Sequence, residues 1–577
     1  MLPASKPSLT EGKYDIYPSY KINNNQIFAG FETLAEKFTN QRTIIIDGYN
    51  GAFFDLFQLR LDELLRRNCR SVNWIKTSRF FKPEAEIRAM TAPFLGGDDP
   101  LFGKITSLNL SDFFIAEKLK SIRPDNNSDI SIIIGPGASM AQWEGLLIYI
   151  DIPKNEIQYR SRAGSISNLG LTAPSNPKEM YKCSFFVDWV VLNRHKQQIL
   201  PSVDLFVDGQ RPEIPVWMEG VTLRESLFQM SRNVFRTRPW FEPGAWGGTW
   251  IKENIAGLNA NVQNYAWSFE LITPENGLLI ESSSLLFEVT FDCLMYLQAE
   301  AVLGDNHQRF GTDFPIRFDF LDTFDGGNLS LQCHPRPEYM KENFGENFTQ
   351  EETYYILDTK DKSIVYLGFS DNIVPENFRK DLEESLLHNK EFDPDKHVLK
   401  HTVKKHDLLL VPYGTIHGSG KNNLVLEIST TPYIFTFKMY DWLRPDLDGK
   451  PRNLNIGRGM ENLFFNRKGD YVTKNLISKP ELLITGPGWQ LYRLPTHETH
   501  LYEVHRYHFF GTIEIETNNK FLVMSLVEGK TIDIETSSGF RKSFSYAETF
   551  VIPAAAGKVI INNNSGTEAI LIKAFMK

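Results

Sequence analysis

Cysteine is scarce in this sequence, with 4 residues among 577, and no two of them form a CxxC pair. That usage excludes a disulfide scaffold and a four-cysteine zinc site, and it is typical of a reducing compartment. Residues 1–20 contain no apolar core of the kind that a signal peptide has. No run reaches the roughly 18 apolar residues that a membrane-spanning helix needs. We therefore predict a cytoplasmic protein with no membrane partner.

An excess of positive charge is also missing, since 62 Lys and Arg stand against 71 Asp and Glu, for a net charge of -9. Nucleic-acid-binding proteins usually present a basic face, so we predict no nucleic-acid partner. A few cationic side chains can still form a local pocket for a small anion. The length exceeds what one hydrophobic core supports, so several domains are expected.

Residues 1–235 alternate between strand-like and helix-like segments. RTIIIDGYN (42–50) is typical of a buried strand ending in a turn, and FFDLFQLRLDELLRR has apolar residues at helical spacing. Further buried-strand patterns at 129–139, 145–153 and 203–209 predict an α/β domain with a parallel sheet. This region resembles a degenerate nucleoside-kinase-like fold. It lacks the GxxxxGK[ST] phosphate loop, so we expect a scaffold or regulatory role instead of phosphoryl transfer.

Strand-like segments dominate after the Pro-, Gly- and Trp-rich stretch RTRPWFEPGAWGGTW (236–250). Short strands separated by turn residues predict a β-sandwich or β-barrel. Helical segments interrupt this pattern near 290–303 and 376–389. We predict one β domain over 236–480 and a further all-β domain over 481–577.

Three short patterns in the middle of the chain contain candidate metal ligands. In NLSLQCHP (328–335), Gln332 and His334 are two apart, so on a strand their side chains share a face. Glu352 enters the strand-like QEETYYILD (350–358), and His417 lies between turns in VPYGTIHGSGKNN (411–423). Two imidazoles, one carboxylate and one amide oxygen suit a borderline cation such as zinc.

These patterns, in this order, resemble the sequence blocks of the short bacterial class I mannose-6-phosphate isomerases. WGGTW (246–250), FPIRFDFLD (314–322) and MYDWLRPDLDGKPRNLNI (439–456) resemble further blocks of that family. The resemblance spans about residues 240–460 and implies a double cupin, that is, two β-barrels of jelly-roll type with short helices. It implies one Zn²⁺ per chain on Gln332, His334, Glu352 and His417, and interconversion of mannose 6-phosphate and fructose 6-phosphate through a cis-enediol.

The resemblance also implies catalytic residues. Arg444 matches a family arginine thought to lie near the metal and to assist proton transfer. Glu427 in LVLEIS matches a family glutamate, which either faces the site as a base or forms a hydrogen bond within the barrel. The phosphate of a phosphorylated hexose substrate needs cationic or N–H partners. The candidates for this contact are Lys421, Arg336, Lys438 and Arg452.

Two departures from the family pattern concern the substrate side of the site. Gln350 and Asp319 stand where many members carry lysine. These changes favour an alternative, a metal-containing cupin that binds or senses a phosphosugar without turnover. A third hypothesis is a cupin of different chemistry, such as an oxygenase, which would prefer a redox metal.

Overall fold

A computed structural model of the chain describes all residues except 1, 9, 11, 68, 69, 361, 447, 448, 450 and 451. The chain forms two compact units. Unit 1 comprises Met1–Ser8, Tyr17–Ser231 and Thr273–Ala299, and unit 2 comprises Leu9–Ile16, Arg232–Ile272 and Glu300–Lys577. Among the described residues, no helix is both long and apolar enough to cross a membrane.

Residues 17–231 of unit 1 alternate between strands and helices. The strands are β1 (Ser19–Lys21), β2 (Phe28–Ala29), β3 (Thr43–Gly48), β4 (Val72–Lys76), β5 (Ile130–Ile134), β6 (Leu146–Asp151), β7 (Leu205–Asp208) and β8 (Val216–Glu219). The α-helices are α1 (Phe31–Glu36), α2 (Phe54–Arg67), α3 (Glu84–Thr91), α4 (Ala116–Ser121), α5 (Lys154–Arg162), α6 (Pro177–Cys183), α7 (Trp189–Ile199) and α8 (Gly220–Met230).

One seven-stranded sheet, in the order β2-β8-β7-β6-β3-β5-β4, organises this part of unit 1. The strands from β7 to β4 pair in parallel, and β8 runs antiparallel to β7. Isoleucines of β3 and β5 are buried on both faces of the sheet, as expected for parallel strands covered on both sides. The isoleucines of one face, Ile44, Ile46, Ile130, Ile132 and Ile134, form a core with Phe57, Leu61 and Leu65 of the amphipathic α2.

The chain from 232 to 303 adds short elements to both units. They are β9 (Trp240–Glu242), α9 (Trp250–Asn254), β10 (Trp267–Leu271), β11 (Gly277–Ser282), β12 (Leu285–Thr290) and α10 (Phe291–Leu303). In unit 1, β11 and β12 form an antiparallel hairpin, and β1 joins β11 in parallel.

The middle of unit 2 is built mainly of antiparallel strands. Its strands are β13 (Ile316–Asp322), β14 (Leu331–Cys333), β15 (Glu352–Thr359), β16 (Ile364–Phe369), β17 (Val398–Thr402), β18 (Leu408–Val411), β19 (His417–Ser419), β20 (Asn423–Thr430) and β21 (Phe437–Tyr440). Its helices are α11 (His307–Phe310), α12 (Pro337–Tyr339), α13 (Pro375–His388), α14 (Ile456–Asn462) and α15 (Asp470–Asn475).

These strands form two sheets. One has the order β18-β15-β20-β13-β10-β9, and the other has the order β17-β16-β19-β14-β21. The side chains of β15 and β20 are almost entirely buried, as are those of β14 and β19. The two sheets therefore enclose an interior to which polar side chains also contribute.

The last part of unit 2 is a second pair of antiparallel sheets. Its strands are β22 (Glu481–Gly486), β23 (Trp489–Leu494), β24 (Tyr502–Phe509), β25 (Thr512–Glu516), β26 (Leu522–Glu528), β27 (Thr531–Thr536), β28 (Arg541–Ser545), β29 (Thr549–Ile552), β30 (Lys558–Asn562) and β31 (Ala569–Met576). A six-stranded sheet and a four-stranded sheet share one apolar core. The chain is mostly β-sheet with some helices, in agreement with the strand-rich pattern predicted after residue 236.

Candidate metal centre

Strand register brings the predicted ligands to one place in unit 2. Gln332 in β14 lies directly opposite His417 in β19, so their side chains share a face. His334 follows β14, and Glu352 begins β15 in the other sheet. The candidate centre therefore lies between the two sheets.

The ligand atoms are close and buried. One ligand atom from each of His334, Glu352 and His417 lies within 4.8 Å of the others. His334 Nε2 is 3.0 Å from one oxygen of Glu352, and His417 Nε2 is 3.4 Å from the other. The Gln332 amide nitrogen is 3.3 Å from His417 Nε2. At most 1% of each of the three ionisable side chains is exposed.

Backbone carbonyls fix which ring nitrogens carry hydrogen. His334 Nδ1 lies 3.1 Å from the carbonyl of Phe435, and His417 Nδ1 lies 2.9 Å from that of Thr415. A carbonyl oxygen only accepts, so each Nδ1 must donate. Burial lowers the pKa of His417, which favours the neutral ring. His417 Nε2 then directs its lone pair towards the Glu352 carboxylate, and His334 Nε2 faces the same carboxylate.

The ligand atoms of His334, Glu352 and His417 converge as they would around a bound cation. Among the described residues, neither His334 Nε2 nor Glu352 Oε2 has a hydrogen-bond partner. A buried acceptor without a partner is costly unless a cation satisfies it. Imidazole and carboxylate are ligands that zinc accepts, and a carbonyl on the second ring nitrogen is the usual support of a metal-bound histidine.

Two glycines allow the loop before β19 and the strand itself to approach their neighbours. Gly414 has a φ of +71°, and a Cβ there would lie 2.6 Å from the carbonyl oxygen of Asn462. A Cβ on Gly418 would lie 2.7 Å from the carbonyl oxygen of Ser330. Glycine at these positions lets β19 pack closely against the segment that carries Gln332.

A row of polar side chains lines the neighbouring strands β13, β20 and β15. Asp319 lies opposite Glu427, which in turn lies opposite Tyr354. Arg317, two residues before Asp319 and on the same face, donates a hydrogen bond to Glu427 and lies 3.8 Å from Glu352. The predicted catalytic Glu427 is therefore buried within this row, in an ion pair with Arg317.

Burial dominates the electrostatics of this row. It raises the pKa of Asp319 and that of Glu427 above their ordinary values, while Arg317 opposes both shifts. Burial also raises the pKa of the Tyr354 hydroxyl, which has no hydrogen-bond partner among the described residues. The region thus places three carboxyl groups, those of Asp319, Glu352 and Glu427, around one guanidinium.

Sequence reasoning missed Arg317 and Tyr354. In IRFDFLD the charged residues alternate with apolar ones, which places Arg317 and Asp319 on one strand face. Tyr354 stands two residues after Glu352 and shares its face, and its ring centroid is 5.8 Å from that of His417. Gln350, which stands where many members of the family carry lysine, donates a 2.5 Å hydrogen bond to Glu352.

Two of the predicted cationic residues, Arg444 and Arg452, lie beside Asp441. Arg444 donates to the Asp441 carboxylate at 2.5 Å and to the Asn328 carbonyl at 2.7 Å. Arg452 also contacts Asp441, at 3.1 Å. These two arginines form a cluster around one aspartate.

The other three predicted phosphate ligands, apart from Arg452, differ in how they are held. The Arg336 guanidinium donates to the carbonyls of Asn462 and Leu463 and stacks on Phe464. Lys421 is exposed. Lys438 lies opposite Gln332 on β21, so its side chain starts on the same face as Gln332 and His417.

Comparisons with known proteins divide the chain in two. Residues 30–232 match a family described as a domain of unknown function, DUF8485. The mannose-6-phosphate isomerase ManA of Bacillus subtilis is 24% identical over 299 residues, which are 51% of this chain and 85% of the relative. The mannose-6-phosphate isomerase of Streptococcus mutans is 24% identical over 289 residues, 49% of this chain and 82% of the relative.

A solved structure was also found to be similar. The crystal structure of the mannose 6-phosphate isomerase from Bacillus subtilis has a TM-score of 0.47 and 20% identity, and the match covers 59% of this chain and 99% of that chain. Over about half of its length, the chain is thus homologous at low identity to mannose-6-phosphate isomerases.

Proposed function

We propose that unit 2 is a zinc-dependent aldose–ketose isomerase that interconverts mannose 6-phosphate and fructose 6-phosphate through a cis-enediol. One zinc ion per chain would be held by Gln332, His334, Glu352 and His417. The observation that carries the proposal is the convergence of two imidazole Nε2 atoms on a buried carboxylate, while each Nδ1 donates to a backbone carbonyl. Homology to mannose-6-phosphate isomerases supports the choice of reaction.

The reaction moves a proton between C2 and C1 of the sugar. It needs a base at the carbon and a partner for the negative charge that develops on oxygen. A bound zinc ion supplies a Lewis acid for the substrate oxygens. We assign the proton transfer to Glu427, whose side chain lies in the polar row beside Glu352. We assign stabilisation of the enediolate to Arg444.

The phosphate requires a cation at the edge of the site. Lys438 is the strongest candidate because it shares a strand face with Gln332 and His417. Lys421 and Arg336 are the further candidates. Arg336 already donates to two backbone carbonyls, so its contribution to phosphate binding would be smaller.

Metal analysis combined with a coupled assay tests this function. The purified protein should hold one zinc per chain and convert mannose 6-phosphate into fructose 6-phosphate. Chelation should abolish turnover, and one equivalent of zinc should restore it. Zinc-loaded protein that fails to convert the sugar would contradict the proposal.

One observation favours an alternative, a metal-containing phosphosugar sensor. Gln350 and Asp319 supply no positive charge near Glu352, and Arg444 is engaged by Asp441. A sensor would bind mannose 6-phosphate but exchange no C2 proton with solvent. Calorimetric binding without deuterium incorporation from D₂O would select the sensor.

A further inference from the structure

Arg317 is a buried guanidinium beside the candidate metal centre. Only 6% of its side chain is exposed. Its Nη2 atom donates a hydrogen bond to Glu427 Oε1 and lies 3.8 Å from Glu352 Oε1. Its Nε atom lies 3.5 Å from Asp319 Oδ1. One guanidinium thus faces three carboxylates.

The register of the sheet explains this arrangement. Arg317 on β13 is opposite Ser429 on β20, and Ser429 is opposite Glu352 on β15. The side chain of Ser429 is short, so the long arginine can extend across β20 towards Glu352. Glu427, two residues before Ser429 on the same face, lies within its reach.

The contacts divide unequally between the carboxylates. Arg317 makes a direct hydrogen bond with Glu427, whereas its separation from Glu352 exceeds hydrogen-bonding distance. Glu352 Oε2 has no hydrogen-bond partner among the described residues. Arg317 therefore restrains Glu427 while it leaves Glu352 available for a cation.

We propose that Arg317 is a positioning residue that holds Glu427 beside the metal centre. Glu427 is thereby kept for proton transfer, and Glu352 is left to bind the metal. This inference rests on the proposed isomerase function. Without Arg317, Glu427 loses the cation paired with it and keeps its hydrogen bond with Glu352. The Glu427 carboxyl would then turn towards the metal and away from the sugar carbon.

Three variants separate positioning from simple charge balance. Arg317→Met removes the anchor and one positive charge. Arg317→Lys keeps the charge but loses the planar fork. Arg317→Met/Asp319→Asn removes the guanidinium together with one of the carboxyl groups that face it, while Glu427 still lacks its anchor.

We expect kcat to depend on the hydrogen bond between Arg317 and Glu427, and the urea midpoint to depend on the pairing of the buried charged groups. Arg317→Met should lower kcat about 10²-fold, as expected for a misplaced catalytic group, with a smaller change in KM. Arg317→Lys should recover part of that loss. The double variant should recover the urea midpoint of the metal-free protein but keep the low kcat. Recovery of kcat together with the midpoint would overturn the positioning role, as would unchanged kcat in Arg317→Met.

Zinc affinity gives a readout that does not depend on activity. Removal of a cation 3.8 Å from Glu352 should tighten zinc binding about tenfold in Arg317→Met, measured by competition with a chelating dye. The double variant should keep part of this tightening, because Glu427 still lacks its anchor and can turn towards the metal. If the wild-type protein does not isomerise the sugar, the proposed function fails, and this measurement still tests Arg317. Weaker zinc binding in Arg317→Met would then overturn the inference.

Arg236 provides the matched control in unit 2. It is another buried arginine, with 1% of its side chain exposed, and it pairs with Glu270 and Glu548. Arg236→Met should lower the urea midpoint without tightening zinc binding. If that variant fails to fold, Arg236→Lys serves in its place. Equal tightening in the Arg236 variant would show that the effect does not belong to Arg317, and it would count against the proposal.

Discussion

Each unit buries a cluster of charged side chains, and the two clusters differ in their balance. In unit 1, Lys196 lies 2.6 Å from Asp292 and 3.3 Å from Asp151, and Lys154 lies 3.1 Å from Asp292. Two cations thus meet two anions. In unit 2, the single cation Arg317 faces Asp319, Glu352 and Glu427.

The difference indicates which cluster needs a ligand. Buried charges are tolerated when they are paired and hydrogen-bonded. The unit 1 cluster meets that condition, because Lys196 also donates to the Thr290 hydroxyl at 2.7 Å. The unit 2 cluster has three carboxyl groups around one guanidinium, at the place where the Nε2 atoms of His334 and His417 also converge. A divalent cation would bind at this convergence.

Removal of the nitrogen ligands should produce the largest effect. His334→Ala/His417→Ala takes away both imidazoles, so stoichiometric zinc binding and turnover should be lost. Metal analysis of the purified variant measures this loss. The exposed His388 provides the control, since His388→Ala should keep the metal. Full zinc occupancy in the double variant would contradict the assignment.

Disruption of the unit 1 cluster should lower the free energy of unfolding without changing zinc binding. Lys196→Met removes the cation that Asp151 and Asp292 share. Breaking a buried ion pair costs about 3–5 kcal/mol of stability. The urea unfolding transition should move accordingly, while zinc content stays at the wild-type level. Loss of zinc in this variant would show that the two clusters are not independent.

Arg444 tests the proposed catalytic machinery beyond the cluster. Arg444→Ala should lower kcat roughly 10²–10³-fold, the scale expected for one lost oxyanion partner, and zinc should stay bound. Arg444→Lys should restore only part of the rate. Asp441→Asn removes the ion pair without removing the arginine. A rate loss in Asp441→Asn as large as that in Arg444→Ala would assign Arg444 a structural role.

Asp188 of unit 1 is a buried carboxyl with a raised pKa, and no cation pairs with it among the described residues. Burial raises its pKa from 3.8 to about 6, and its partners are the Asn168 amide, the Leu169 N–H and Cys183. The folded state thus binds more protons than the unfolded state between these values. Stability should fall by about 3 kcal/mol as pH rises through that window and then level off.

Asp188→Asn should remove this dependence. The difference in unfolding midpoint between the variant and the wild type should grow from pH 4 to pH 6 in favour of the variant. Thermal unfolding at several pH values measures it. A constant difference across that range would contradict a raised pKa for Asp188.

Local patterns predicted much of the fold but not the register between distant strands. The helix expected near 376–389 is α13 (Pro375–His388), because its apolar residues repeat at helical spacing and Pro375 stands at its start. The QxH spacing predicts Gln332 and His334 on one strand, and the structure has Gln332 in β14 and His334 directly after it. Arg317 could not be assigned to the site, because its contact with Glu427 depends on the pairing of β13 with β20, 110 residues apart at that contact.

The cationic residues show a second limit of sequence reasoning. Arg336 is predicted from its charge and Arg444 from its match to a family arginine, yet the structure gives their guanidinium groups backbone and carboxylate partners of their own. Such partners come from loops whose paths are set by tertiary packing. The assignment of Arg444 and Glu427 as catalytic, and of Lys421, Arg336 and Lys438 as substrate ligands, stays a prediction.

Solvent exchange at C2 of the sugar tests the central claim most directly. Zinc-loaded protein is incubated with mannose 6-phosphate in D₂O, and the product is followed by NMR. We expect deuterium incorporation and formation of fructose 6-phosphate that stop on chelation and resume with one equivalent of zinc per chain. A protein that holds zinc on His334, Glu352 and His417 and binds the sugar, but incorporates no deuterium, would contradict the isomerase function.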